Sequence, residues 1–238
     1  MSTGRLIAVG DVHGCVHALD AVLAAIAPTA ADQFVFLGDL VDQGRDSRDV
    51  LDRLIALAQQ CRVITIQGNH EEMMLAARHN QEALRYWEVC GGFATLNSYR
   101  YGARIDEVPE EHWQFLASCR PYYETDDVIF THANYIAELP MAEQPDHQLR
   151  WALFEPDEMR PHVSGKKVFV GHTEQPDSEV RDLGFVACID TACWRHGWLT
   201  AIEVHDGEIW QASRFGMLRE RHEPSQRGRL PLLTPASA

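Results

Sequence analysis

Five short apolar stretches each run directly into a polar cluster built from metal-ligand residue types. Leu6-Ile7-Ala8-Val9 leads into Gly10-Asp11-Val12-His13-Gly14, and Phe34-Val35-Phe36-Leu37 leads into Gly38-Asp39-Leu40-Val41-Asp42. Val63-Ile64-Thr65-Ile66 precedes Gly68-Asn69-His70-Glu71. Val128-Ile129-Phe130 precedes Thr131-His132, and Val168-Phe169-Val170 precedes Gly171-His172-Thr173. Short apolar runs bounded by turn residues read as buried strands. Ligands of an open α/β sheet gather at the carboxyl ends of its strands. Three aspartates, four histidines and one asparagine therefore converge on one rim, the pattern expected of a metal site and of two ions rather than one.

The chain has 238 residues, enough for one large domain or for a domain carrying an inserted cap. At 45% hydrophobic residues it can bury a sizeable core. The formal net charge of −14 argues against nucleic acid as a partner, because phosphate backbones are bound by clustered Lys and Arg. Carboxylates that hold divalent cations account for part of that acidity. The first residues lack an apolar signal-peptide core, and no stretch is long and apolar enough to span a bilayer. A cytoplasmic protein without membrane contact is expected. The six cysteines form no C-x-x-C pair and read as free thiols in a reducing compartment.

The first third reads as β-α-β-α-β. Helical spacing of apolar residues predicts helices over 17–26 and 46–59, and a third starting at Glu71. Residues 81–123, with Trp87, Gly91-Gly92, Tyr99, Tyr101, Trp113, Tyr122 and Tyr123, form an expected helical cap insertion before the strand at Val128. Such a cap is placed to wall one side of the site. The second half predicts strands at 168–170, 186–189, 199–204 and 208–212, with a hairpin turn at His205-Asp206-Gly207. A catalytic domain over 1–218 is expected, followed by a disordered tail over 219–238.

Asp11-x-His13 places two ligands on the same side if the segment is extended. Asp39 ends a strand and is well placed to bridge two ions. Asn69, His132 and His172 add an amide oxygen and two imidazoles. Mixed oxygen and nitrogen donors suit Mn²⁺, Fe or Zn²⁺ rather than Ca²⁺. Two ions ~3.5–4 Å apart clamp an in-line displacement at phosphorus, with the water between them as the nucleophile in its hydroxide form. His70, adjacent to Asn69, is left free to protonate the leaving alkoxide, and Asp42 is placed to orient it.

GDVHG, GDLVDQG, GNHE, the TH of THAN and GHT occur in the order seen in the phosphoprotein phosphatase (PPP) branch of the calcineurin-like metallophosphoesterases, which this chain resembles over roughly residues 5–212. That branch holds serine/threonine protein phosphatases, the phage lambda protein phosphatase and symmetrical diadenosine tetraphosphate hydrolases. GGFATLNSY (91–99), PEEHWQFL (109–116), YYETDDVIFTHA (122–133) and IDTACW (189–194) resemble its small bacterial members. The resemblance implies a mixed α/β fold whose central β-sandwich is flanked by helices, rather than a doubly wound sheet. It implies Asp11, His13 and Asp39 at one metal, with Asp39 bridging to Asn69, His132 and His172 at the second. Mn²⁺ is the expected metal. His70 is implied as the general acid supported by Asp42.

Two positions depart from the family pattern. Gln43 stands where an arginine usually follows the second Asp of GDxxDRG, and no arginine stands two residues after Trp151. Arg45 and Arg150 are the nearby candidates to bind phosphate, together with Asn69. Exchanging a guanidinium for an amide removes a charge and a bidentate fork. The leading expectation is a phosphomonoesterase acting on phosphoserine or phosphothreonine of a protein, with phosphotyrosine or a small phosphoester also open. The alternative on the same scaffold is a symmetrical bis(5'-nucleosyl)-tetraphosphate hydrolase, which the acidic charge does little to help. A phosphate-binding module without catalysis is a third reading, opposed by the intact ligand set.

Overall fold

A computed structural model describes residues 4–220. Ten strands form two five-stranded sheets. The first takes the order β10-β9-β1-β2-β3, from β1 (Leu6–Val9), β2 (Gln33–Phe36), β3 (Arg62–Thr65), β9 (Leu199–Glu203) and β10 (Ile209–Ala212). The second takes the order β4-β5-β6-β8-β7, from β4 (Tyr122–Glu124), β5 (Val128–Thr131), β6 (Lys167–Val170), β7 (Arg181–Asp182) and β8 (Val186–Cys188). In each sheet three parallel strands form a block, β1-β2-β3 and β5-β6-β8, and antiparallel strands flank it.

The sheets pack face to face. Alternate side chains of each strand point to opposite faces, and here both faces are covered. Leu6, Ala8, Val35 and Leu37 meet Val128, Phe130, Phe169 and Ala187 in the layer between the sheets. Ile7, Val9, Phe34 and Phe36 turn the other way, against helices α1 (Val16–Ile26) and α2 (Ser47–Ala58). Ile129, Val168 and Val170 face a third layer with Leu149 and Phe154, beside α7 (Asp146–Trp151). Burial on both faces explains why these strands are uniformly apolar rather than alternating. The expected sandwich flanked by helices is the fold found.

Several boundaries differ from expectation. Helix α3 (Asn69–Ala77) begins two residues before Glu71, because Glu71 caps its own helix by accepting from the Gly68 N–H at 2.9 Å. Helices α4 (Gln81–Trp87), α5 (Phe93–Tyr99) and α6 (Glu110–Ala117) fill most of the expected insertion. Its last residues do not belong to a cap. Tyr122–Glu124 pairs antiparallel with β5 and edges the second sheet. In the β9–β10 loop only Gly207 has positive φ, since the Glu203 carboxylate holds the turn by accepting from the His205 and Asp206 N–H groups at 2.8 and 2.6 Å. Of the expected tail, Arg219 bonds to Gln211, and residues 221–238 lie outside the described residues. All six cysteines are free thiols. Among the described residues no helix is long and apolar enough to cross a membrane.

The carboxylate of Glu71, fully buried, also ties the β2 and β3 loops together. It accepts from the backbone N–H of Asp39 at 2.8 Å and of Leu40 at 2.7 Å. An amide in its place would face some of these donors with its own N–H. Glu71→Gln is expected to cost about 2 kcal/mol, the penalty for leaving buried donors unmatched. The check is urea unfolding of the metal-free protein, which should show a lower midpoint with an unchanged slope. An unchanged midpoint would remove Glu71 as the tie between the loops.

Candidate metal and catalytic site

The loops after β1, β2, β3, β5 and β6 meet at one rim. The β1 loop is clamped to the β2 loop, with the N–H groups of Val12 and His13 both donating to the Asp39 carbonyl at 3.1 and 2.8 Å. The N–H of Gly171, after β6, donates to the carbonyl of His132, after β5, at 2.7 Å. His13, Asp39, Asp42, Gln43 and His172 all have φ between 44° and 71°. Non-glycine residues enter this left-handed region at an energetic cost, and such residues cluster at functional sites. His13 therefore sits on a tight turn. Asp11-x-His13 is not the extended pair expected from strand alternation.

Three imidazoles are aimed in the same way. His13 Nδ1 faces the Val41 carbonyl at 3.0 Å, His132 Nδ1 faces the Leu37 carbonyl at 2.8 Å, and His172 Nε2 faces the Trp151 carbonyl at 3.2 Å. A carbonyl only accepts, so each of these nitrogens carries the proton. The other nitrogen of each ring then presents a lone pair. Metal-binding histidines are fixed by this kind of outer hydrogen bond.

The lone pairs converge on Asp39 and Asn69. His13 Nε2 lies 3.5 Å from one Asp39 oxygen and His132 Nε2 lies 3.4 Å from the other. Two sets of donors form within 4.8 Å of one another: His13, Asp39 and His70, and Asp39, His132 and His172. The Asn69 Oδ1 position faces His132 Nε2 at 3.0 Å, His172 Nδ1 at 3.1 Å and both Asp39 oxygens at 3.3 Å. An oxygen ringed only by acceptors suits a cation in their midst. Without one, a rotated amide would satisfy the same atoms by donating. The donor set therefore fits divalent metal.

Burial pushes the imidazoles of His13 and His172 down, and that of His132 down to about 4, which favours the neutral, ligating form. Burial alone would raise the Asp39 carboxyl. The imidazoles of His132, His70, His13 and His172 override it and hold Asp39 well below the usual carboxylate range.

His70 is turned differently. Its Nδ1 donates to Asp42 Oδ2 at 2.7 Å, and its Nε2 points inward, 4.0 Å from Asp39. Burial would lower this imidazole, yet the charges of Asp39 and Asp42 push it up to about 9. Asp42 is fully buried and receives two further bonds from the insertion: Trp87 Nε1 to Oδ2 at 2.7 Å, and the Thr95 hydroxyl to Oδ1 at 2.6 Å.

The remaining expected residues are less uniform. Asp11 is buried, but its carboxylate accepts from the His172 N–H at 3.0 and 3.2 Å, and it falls outside both compact donor sets. Burial, with Asp190 and Asp39 nearby, pushes its carboxyl well above the ordinary range. Arg150 is buried, its Nε donating to Glu72 at 2.9 Å and its terminal nitrogen pairing with Asp146 at 3.0 Å. Arg45 is exposed and makes no hydrogen bond or ion pair with the described residues. Gln43 Nε2 donates to the Cys90 carbonyl at 3.0 Å. Arg195 stacks on Trp194 at 4.6 Å, and that ring lies 6.4 Å from His13.

Sequence reasoning gave no role to Glu71, Trp87, Thr95 or Arg195. The Gly68-x-x-Glu71 spacing before a helix was a usable signal for the first. The others are brought to the site from distant segments by the tertiary fold.

Residues 4–179 match the family described as calcineurin-like phosphoesterase. The chain is 28% identical over 204 residues to a serine/threonine-protein phosphatase 1 of Salmonella typhimurium, covering 82% of this chain and 90% of that protein. It is 37% identical over 79 residues to a symmetrical bis(5'-nucleosyl)-tetraphosphatase of Pseudomonas putida, covering 33% of this chain and 27% of that protein. A crystal structure of a candidate diadenosine tetraphosphatase superposes with a TM-score of 0.68 at 21% identity, covering 88% of this chain and 93% of the other. The matched range of residues contains the loops that gather the donors, and this chain belongs to the calcineurin-like phosphoesterase family.

Proposed function

We propose that this chain is a metal-dependent phosphomonoesterase that removes phosphate from phosphoserine or phosphothreonine of proteins, within a catalytic unit spanning residues 1–218. The observation that carries the reading is the His70–Asp42 pair, whose His70 belongs to one of two donor groups that share Asp39. Asp11, His13 and Asp39 would hold one divalent cation, and Asp39, Asn69, His132 and His172 the second, with Mn²⁺ the first candidate. When bound, these ions supply Lewis acidity to the phosphoryl oxygens and to the attacking water.

The chain's own residues do the rest. The carbonyls of Val41, Leu37 and Trp151 hold the imidazoles of His13, His132 and His172 in their ligating tautomers. Asp42 accepts a hydrogen bond from the Nδ1–H of His70, so the Nε2 proton faces the site and can pass to the leaving oxygen. Asn69 also supplies an amide that can reach the phosphate. With Gln43 committed to the Cys90 carbonyl, Arg150 to two carboxylates and Arg195 to Glu174 at 3.1 Å, phosphate binding leans on the cations and on Asn69, with Arg45 as the uncommitted guanidinium.

The near full-length likeness to the Salmonella phosphatase favours a protein substrate. The second reading is a symmetrical dinucleoside tetraphosphate hydrolase, favoured by the higher but shorter identity to the Pseudomonas protein. The two are separated by a parallel assay of Mn²⁺-loaded protein on phosphoserine, phosphothreonine and phosphotyrosine peptides and on diadenosine tetraphosphate. Higher kcat/KM on a serine or threonine peptide is expected. Higher kcat/KM on the dinucleotide would overturn that assignment.

Two variants test the residue roles. His70→Asn should lower kcat by about 100-fold or more, the usual contribution of a placed general acid, with metal content unchanged. Retained activity would remove His70 from that role. Asp39→Asn should lose tightly bound metal, with elemental analysis after desalting giving well under two ions per chain. Full metal content would contradict a shared carboxylate.

A further inference from the structure

The orienting carboxylate Asp42 is held from the insertion rather than from the sandwich. Its Oδ2 accepts from His70 Nδ1 and from Trp87 Nε1, both at 2.7 Å. Its Oδ1 accepts from the Thr95 hydroxyl at 2.6 Å, and the same hydroxyl accepts from the Asp42 N–H at 2.8 Å. Trp87, Thr95 and Asp42 are all fully buried. Trp87 and Thr95 lie 45 and 53 residues from Asp42 in sequence.

The backbone between them is built for this approach. A wide π-type turn, residues 88–92, separates α4 from α5. Such turns are rare and are frequently found at functional sites. Gly91 has φ 125°, and a Cβ there would lie 3.1 Å from Asp42 Cβ and from the Gln43 backbone nitrogen. A Cβ on Gly92 would lie 2.3 Å from the Trp87 ring. The glycine pair therefore lets the turn wrap the indole and press against the Asp42 loop. The Gln43 amide, on the Cys90 carbonyl, fastens the same turn.

We propose that Trp87 and Thr95 are positioning residues for the catalytic acid: the insertion fixes the Asp42 carboxylate from two sides, and Asp42 in turn aims His70. This rests on His70 acting as the general acid. The carboxylate can rotate about its Cα–Cβ and Cβ–Cγ bonds. With one oxygen shared between an indole N–H and the imidazole, and the other tied to a hydroxyl, both torsions are set. Removing either donor frees the carboxylate to swing and His70 to follow, without touching any proposed metal ligand.

The test uses leaving groups. 4-Nitrophenolate leaves as a stable anion with little need for a proton, whereas phenolate needs one. Loss of acid catalysis therefore raises the ratio of kcat for 4-nitrophenyl phosphate to kcat for phenyl phosphate. The Mn²⁺-loaded full-length variants Trp87→Phe and Thr95→Val should each raise this ratio about 10-fold, a part of what a complete general acid contributes. Thr95→Ser, which keeps the hydroxyl, should restore it. His70→Asn should raise the ratio most. If Trp87→Phe folds poorly, the Thr95→Val and Thr95→Ser pair decides the matter alone.

Rates that fall together on both substrates, with the ratio within about twofold of wild type, would make Trp87 and Thr95 structural and overturn the proposal. A ratio unmoved in His70→Asn would instead sink the general-acid reading itself, and the proposal with it. A second readout needs no metal. The proton on His70 Nδ1 should give a low-field NMR resonance that is absent in His70→Asn and displaced in Thr95→Val. An undisplaced resonance would also overturn the proposal.

Discussion

Asp39 is shared by both donor groups, and the geometry of the rim follows from it. Its carboxylate faces imidazoles of His13 and His132 on opposite oxygens, and its carbonyl holds the β1 loop through Val12 and His13. Its N–H is held in turn by Glu71. Its Oδ1 also accepts from the His70 N–H at 3.2 Å, so N–H, carbonyl and carboxylate are all held and leave it one available position. The cost is visible in its left-handed backbone at φ 47° and in a burial that by itself would raise its carboxyl. The apolar sandwich provides the rigid frame that such a conformation requires.

The architecture was readable because burial leaves a strong signature. Strands covered on both faces become largely apolar runs, and each of the five runs that led into a polar cluster overlaps a strand over three or four residues. What failed was local geometry. Asp-x-His was read as extended, and the turn at His13 reversed that. Tyr122–Glu124 looked like the end of a helical cap, yet a strand of three residues leaves too few alternations to detect. Asp11 carries the expected chemistry but directs its oxygens to the His172 N–H.

The contacts made by the insertion were hidden for a different reason. The Trp87 and Thr95 hydrogen bonds close loops of 45 and 53 residues, and no periodic pattern encodes such pairs. The Gly91-Gly92 pair was the visible trace, since glycine inside a helical pattern costs stability and usually has a packing or functional reason. Arg195 was similarly hidden. It stacks on the neighbouring Trp194, whose ring lies 6.4 Å from His13, and pairs with Glu174 at 3.1 Å.

The three anchoring carbonyls, at Leu37, Val41 and Trp151, belong to the main chain. Every amino acid has this group, proline included. The instruction that selects the tautomer of each histidine is thus carried by the path of the chain rather than by the identity of a residue. Substitutions at those three positions can change size and packing without removing the acceptor. Ring orientation at this site is a property inherited with the fold, and residue-by-residue comparison of distant relatives would not register it.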